Sequence, residues 1–147
     1  MLWRNISGGV MVQDIERGGH DAINFLLLNT NGGMVKLEKV VPSKIRGKKY
    51  TAFFDDGTRV HFGGAGCMDF IKYWKRDGPH VAMAKRKAYI TRHRVNEDWL
   101  DPKAAGTLSR IILWEYPTLQ QAIATYDDTV KKWKRTPSKR YQLNFTL

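Results

Sequence analysis

The stretch Lys49-Tyr50-Thr51-Ala52-Phe53-Phe54-Asp55-Asp56-Gly57-Thr58-Arg59-Val60-His61-Phe62 constrains the fold most, because alternation, turn chemistry and β propensity agree there. β-branched and aromatic residues flank Asp56-Gly57, the dipeptide that favours a two-residue type I′ hairpin turn. Such a turn pairs Asp55 with Thr58, so Phe53 faces Val60 and Thr51 faces Phe62. Thr51, Phe53, Val60 and Phe62 are then expected on the core side, with Tyr50, Ala52, Phe54, Arg59 and His61 on the other. A lone hairpin is marginal in water, so the rest of the chain must cover it.

There is enough chain for that. At 147 residues the default is a single domain that buries about 70% of the surface its unfolded form exposes. The single cysteine, Cys67, excludes an intramolecular disulfide and a multi-cysteine zinc site; it fits a reducing compartment and reads as a small buried residue. The apolar run Phe25 to Leu28 is far short of the ~20 residues that span a bilayer, and the N-terminus lacks the pattern of a secretion signal.

Before the hairpin, paired glycines punctuate residues 1 to 20, and Met11-Val12-Gln13 reads as a short strand. Asn24 to Asn29 and Met34 to Val41 form a second hairpin candidate around Thr30-Asn31-Gly32-Gly33, ended by Pro42. After Phe62 the pattern turns helical. Met68 to Trp74 predicts a short helix closed near Asp77-Gly78-Pro79. Val81 to Lys87 and Ala88 to Arg94 align as two blocks of a longer helix, stacking Lys85 near Arg92, Arg86 near His93 and Lys87 near Arg94. Asp101-Pro102 predicts the start of another helix, carrying Ala105, Leu108, Ile111 and Ile112 on one face, and Gly106 inside it suggests close packing. Thr118 with Gln121 predicts a capped last helix with Leu119, Ala122, Ile123, Tyr126, Val130 and Trp133 at helical spacing. Gln142 to Leu147 has the composition of a terminal strand. The expected fold class is α+β: a small antiparallel sheet around the central hairpin at 48–62, covered by three or four C-terminal helices. Residues 1–34 form a near-neutral segment, 35–135 the core and 136–147 a basic tail.

Charge is the strongest functional signal. Lys and Arg number 25 against 14 Asp and Glu, and all of the net +11 lies beyond Met34. That balance favours an anionic partner such as nucleic acid, a membrane surface or an acidic protein. The candidate anion- or partner-binding residues are Lys85, Arg86, Arg92, His93 and Arg94, with Lys131, Lys132, Lys134, Arg135, Lys139 and Arg140 from the C-terminal basic run. Tyr73, Trp74, Tyr89 and Trp133 lie among cations, a mixture that can join phosphate contacts to base stacking. Trp99, Trp114 and Trp133 are expected in the core.

Catalytic signatures are weak. His20, His61, His80 and His93 lack the spacing of a helix-borne zinc pair, no serine lies in a nucleophile elbow, and Gly63-Gly64-Ala65-Gly66 lacks the Gly-Lys-Ser/Thr of a phosphate loop. Glu97, Asp98 and Asp101 form a tight acid cluster better explained by helix capping and salt bridges to Arg92 and Arg94 than by metal or base chemistry. No catalytic residue, metal, cofactor or small-molecule substrate is expected.

One motif string is specific. Gly47-Lys48-Lys49-Tyr50-Thr51-Ala52-Phe53-Phe54-Asp55-Asp56-Gly57, Val60-His61-Phe62-Gly63, Tyr89-Ile90-Thr91-Arg92-His93, Asn96-Glu97-Asp98-Trp99, Asp101-Pro102, Ala105-Gly106-Thr107-Leu108-Ser109-Arg110 and Ile112-Leu113-Trp114 resemble an uncharacterised family of small basic proteins encoded by large DNA viruses of algae and protists. The resemblance spans about Leu37 to Arg135; Asp77-Gly78-Pro79 departs from the pattern and leaves the start of the next helix open. It implies a viral origin, no enzymatic activity and no catalytic residues to transfer. By analogy it implies a minor capsid component in the virion, and in the host cytoplasm during assembly. Its partners would be the major capsid protein or other capsid proteins, or the anionic lipids of an internal membrane. The alternatives are a nucleic-acid-binding protein and, less in keeping with these residues, an enzyme.

Overall fold

The structure, a computed structural model, describes residues 5–6, 10–11 and 33–135. The chain divides into two compact units, 1–35 and 36–147, close to the charge boundary at Met34. In the first, β1 (Asn5–Ile6) pairs antiparallel with β2 (Val10–Met11), so Met11 of the expected Met11-Val12-Gln13 strand is paired while Val12 and Gln13 lie outside the described residues. The hairpin partner expected at 24–29 and the terminal strand at 142–147 also lie outside them.

The second unit is α+β. β3 (Leu37–Pro42), β4 (Lys48–Phe54) and β5 (Arg59–Gly64) form an antiparallel sheet in that order, followed by four helices. These are α1 (Phe70–Asp77), α2 (Pro79–His93), α3 (Ala105–Leu108), continued by a π turn over Ser109–Leu113, and α4 (Leu119–Arg135).

The central hairpin forms in a register one residue from that expected. Tyr50 faces Phe62, Ala52 faces Val60 and Phe53 faces Arg59. The turn is the reason. Gly57 N donates to Phe54 O (3.0 Å), Phe54 N donates to Thr58 O (3.0 Å), and Gly57 carries φ +85. This is a three-residue loop with glycine in the left-handed position, not a two-residue type I′ turn. A one-residue slip exchanges the faces of a strand. The core face of β4 is therefore Tyr50, Ala52 and Phe54, with Ala52 0%, Phe54 1% and Phe62 of β5 0% exposed. Thr51 and Phe53, expected in the core, lie on the other face. There Phe53 sits between Lys39 and Arg59, at 4.9 and 5.4 Å from its centroid, and Thr51 Oγ1 shares a hydrogen bond with His61 Nδ1 (2.8 Å).

Helices cover the inner face. α4 packs on β3 and on the π turn, and Phe54 meets Tyr126 with ring centroids 6.5 Å apart. Leu108, Ile111, Ile112, Tyr126 and Val130 are buried, each worth roughly 1.5–3 kcal/mol if apolar and fully removed from water. Trp99, Trp114 and Trp133 are buried as expected. The Thr118 cap forms, its Oγ1 accepting from Gln121 N (3.2 Å).

Two helix starts differ from expectation. Asp69, not Met68, opens α1: its Oδ1 accepts from Lys72 N (2.9 Å) as an N-cap. Asp101 does not cap a helix at Pro102. Its Oδ1 accepts from Lys103 N (2.9 Å) and its carbonyl from Ala104 N (3.1 Å), which closes a turn and delays α3 to Ala105. Gly78, at φ +89, ends α1, and Pro79 then occupies the first turn of α2, where its missing N–H costs no helical bond.

Candidate functional site

A cleft of about 430 Å³ opens where the end of β5, the loop before α1, the end of α2 and the start of α3 converge. Each side has a local cause. Gly63 carries φ +75, and a Cβ there would lie 2.9 Å from Leu113 Cδ1, so glycine allows both the bend and the close approach that form the floor. Lys49 Nζ donates to Asp69 Oδ2 (2.6 Å) and to Cys67 O (2.7 Å), tying the loop and the cap of α1 to β4. That pair is largely buried, with side chains 10% and 5% exposed.

The opposite wall is aromatic. Trp114 and Tyr89 stack at 4.4 Å with an 8° interplanar angle, and His93 stacks on Tyr89 at 4.2 Å. His93 ends the stack with 41% of its side chain exposed, and its Nδ1 lies 3.7 Å from Glu97 Oε1. The Glu97 carboxylate rests on Gly106, where any Cβ would collide with it; this is the close approach that Gly106 permits. Burial first, and the nearby Glu97 charge second, push the Tyr89 hydroxyl upward, so it stays protonated as a donor. Lys48, Arg92 and Ser109 complete the rim.

Behind the cleft lies a buried ionic cluster. Arg86 Nη2 donates to Glu115 Oε1 (2.6 Å), and Arg110 Nη1 to Glu115 Oε2. The arginine side chains are 0% and 1% exposed and the glutamate 15%. The Arg110 guanidinium also sits between Trp99 and Trp133, at 5.3 and 5.1 Å from their centroids. Burial pulls Arg110 below the ordinary arginine range despite Glu115. The π turn widens the helix at this point and turns Arg110 inward.

The candidate cations thus fall into different places. Arg86 is buried in the Glu115 cluster, so it offers no surface for an anion; the heptad alignment that grouped it with Lys85 missed the inward stripe Ala82, Arg86, Tyr89, Ile90. Lys85 is exposed, with its ammonium 5.5 Å from the Tyr73 ring. Arg92 and His93 enter the cleft, and half-buried Arg94 caps α2, its N donating to Ile90 O (2.9 Å). Lys131, Lys132, Lys134 and Arg135 are exposed on the last turns of α4; Lys139 and Arg140 lie outside the described residues.

Cys67 is exposed, not buried, because its loop is held by its backbone carbonyl, leaving the thiol at the surface. Asp98 and Asp101 accept from Leu100 N and Lys103 N within turns, and among the described residues neither they nor Glu97 form an ion pair with Arg92 or Arg94. The described residues contain no group of three metal-ligating side chains, and none of their helices is long and apolar enough to cross a membrane. Sequence reasoning missed Lys48, Lys49, Asp69, Ser109, Arg110 and Glu115. Their only local signal is Glu115, an acid directly after the apolar run Ile111 to Trp114.

Residues 38–93 match the model of a family of unknown function, DUF5754. No curated protein and no solved structure matches the chain.

Proposed function

We propose that the protein is a non-enzymatic virion structural protein, a minor capsid component. Its cationic surface would meet acidic faces of the major capsid protein or other capsid proteins, or the anionic head groups of an internal membrane. The observation that supports this reading is the partition of the cations. The fold draws Lys49, Arg86 and Arg110 into internal pairs, whereas Lys85, Lys87 and Arg92 of α2 and Lys131, Lys132, Lys134 and Arg135 of α4 are exposed. Exposed like charges of this density favour an anionic partner. The viral setting comes from the motif resemblance. Quantitative mass spectrometry of purified particles tests it: a fixed ratio to the major capsid protein is expected, and absence from particles rejects the reading.

A second reading, nucleic-acid binding, is favoured by the row Lys39, Phe53, Arg59, which runs across all three strands on the sheet face opposite the core. Cations beside a ring suit phosphate and base together. For a DNA binder, the log-log plot of affinity against salt falls by about 0.9 per phosphate contacted, and charge reversal at Lys39 and Arg59 flattens it. Absence of DNA binding at near-physiological salt, where non-specific Kd values run about 10⁻⁴ to 10⁻⁶ M, rejects this second reading.

A further inference from the structure

We propose that the cleft between β5, α2 and α3 is a binding site for a small phosphomonoester carrying a flat ring, of which a nucleoside monophosphate is the model. The site shares Arg92 with the exposed cation face of α2 and otherwise lies apart from it, and the inference does not depend on the viral reading.

Three features carry it. The first is size: about 430 Å³ lies within the range of roughly 300–1,000 Å³ typical of small-molecule sites. The second is an unused donor. Tyr89 is only 7% exposed and lines the cleft, yet its hydroxyl has no hydrogen-bond partner among the described residues. That hydroxyl opens to solvent in the cleft, where water serves it until a ligand oxygen takes its place. The rings that hold Tyr89, Trp114 on one side and His93 on the other, fix that hydroxyl in place.

The third is charge balance. Lys48, Lys49 and Arg92 line the cleft against two carboxylates, Asp69 and Glu97; Lys49 is taken up by Asp69, and Lys48 and Arg92 on the rim form no ion pair among the described residues. Two rim cations that make no ion pair suit the oxygens of a phosphomonoester, which carries about −1.5 to −2 at neutral pH. Arginine also presents the planar fork that grips phosphate oxygens in pairs. The open end of the Trp114–Tyr89–His93 stack favours a flat ring on the same ligand, because a further ring continues the stack at the half-exposed imidazole. Glu97, an acceptor beside that imidazole, suits a hydroxyl or amino group on the ligand body.

Isothermal titration of the full chain with adenosine 5′-monophosphate is the test, with adenosine and inorganic phosphate as the two halves of the probe. The expected result is one site for the nucleotide, with at least tenfold weaker binding of either half. Arg92→Gln and Lys48→Gln are each expected to weaken it about tenfold or more, and Tyr89→Phe several-fold. Tyr89→Phe keeps the ring stack, and Arg92 and Lys48 are exposed, so thermal unfolding of all three variants should match the wild type. No binding at millimolar nucleotide overturns the proposal. So does binding that Arg92→Gln and Tyr89→Phe leave unchanged, since the ligand would then sit elsewhere. A single-stranded oligonucleotide that binds while the mononucleotide neither binds nor displaces it also overturns the cleft assignment, and leaves the polyanion reading standing.

Discussion

Replacing Glu115 with Gln should be among the most damaging single changes in the protein, although it alters almost no volume. The Glu115 carboxylate is shared by two guanidinium groups whose side chains are 0% and 1% exposed. With charge centres ~4 Å apart and an effective dielectric of ~20, each attraction is about 4 kcal/mol. The two arginines repel one another, and Arg86 pulls Arg110 down in the same way as burial does. Removing the carboxylate therefore forfeits two attractions and leaves that repulsion in place. Relaxation and the partial exposure of Glu115 offset some of this, which brings the expected loss to about 3–5 kcal/mol. Against a typical stability of ~5–15 kcal/mol that is a large fraction, and it should lower Tm by about 10 °C or more.

Urea unfolding followed by tryptophan fluorescence reads this directly, because Trp99 and Trp133 flank Arg110. The triple change Arg86→Met, Arg110→Met, Glu115→Leu is the control. With no charge left to desolvate, it should fall within about 2 kcal/mol of the wild type. A Glu115→Gln variant within about 1 kcal/mol of the wild type would refute the reasoning.

Other outcomes follow from the same geometry. Hydrogen bonds from Thr58 and Lys103 lower Asp56 from 3.8 to about 2, so its contribution to stability is complete above pH 3.8 and is lost as pH falls through about 2; NMR titration of its carboxyl should show this, and an ordinary midpoint would contradict it. Asp127 behaves in the opposite sense: burial raises it, so its charge opposes folding as pH rises through its folded pKa, although its Oδ1 accepts from Leu37 N (3.1 Å). Asp127→Asn keeps an acceptor and should be neutral or stabilising at pH 7, whereas Asp127→Ala should lose about 1 kcal/mol in chemical denaturation. Gly63→Ala should cost about 2 kcal/mol or more, from the left-handed backbone and the Leu113 contact together; an unchanged denaturation midpoint would show that the bend is not strained.

The sheet-plus-helices architecture was legible because it rests on local signals: alternation at 49–62, helical spacing at 119–133 and the Thr118 cap. What escaped depends on contacts that sequence spacing does not carry. Asp-Gly is compatible with both a two- and a three-residue turn, and the choice between them reversed the faces of β4. Asp101-Pro102 has the chemistry of a helix start, but the Asp101 side chain is satisfied by a turn first. Arg86 looks like its neighbours Lys85 and Lys87 until Glu115, 29 residues away, is brought to it. The cleft is assembled from Lys48, Asp69, Tyr89 and Ser109, on four separate segments, so no motif announces it. Charge alone singles out Arg92 and His93, and the structure brings both to that cleft, yet it separates them from Arg86 and from the cations of α4.

Lysine cross-linking and mass spectrometry on intact purified virions tests the proposed role most directly, because the reagent reports on the residues proposed to make contact. Cross-links from Lys85, Lys87, Lys131, Lys132 and Lys134 to acidic faces of a capsid protein, at a fixed copy number, are the predicted result. A particle that lacks this chain, or one in which those lysines couple to no capsid protein and stay as accessible as in the isolated chain, so that no membrane covers them either, would contradict it.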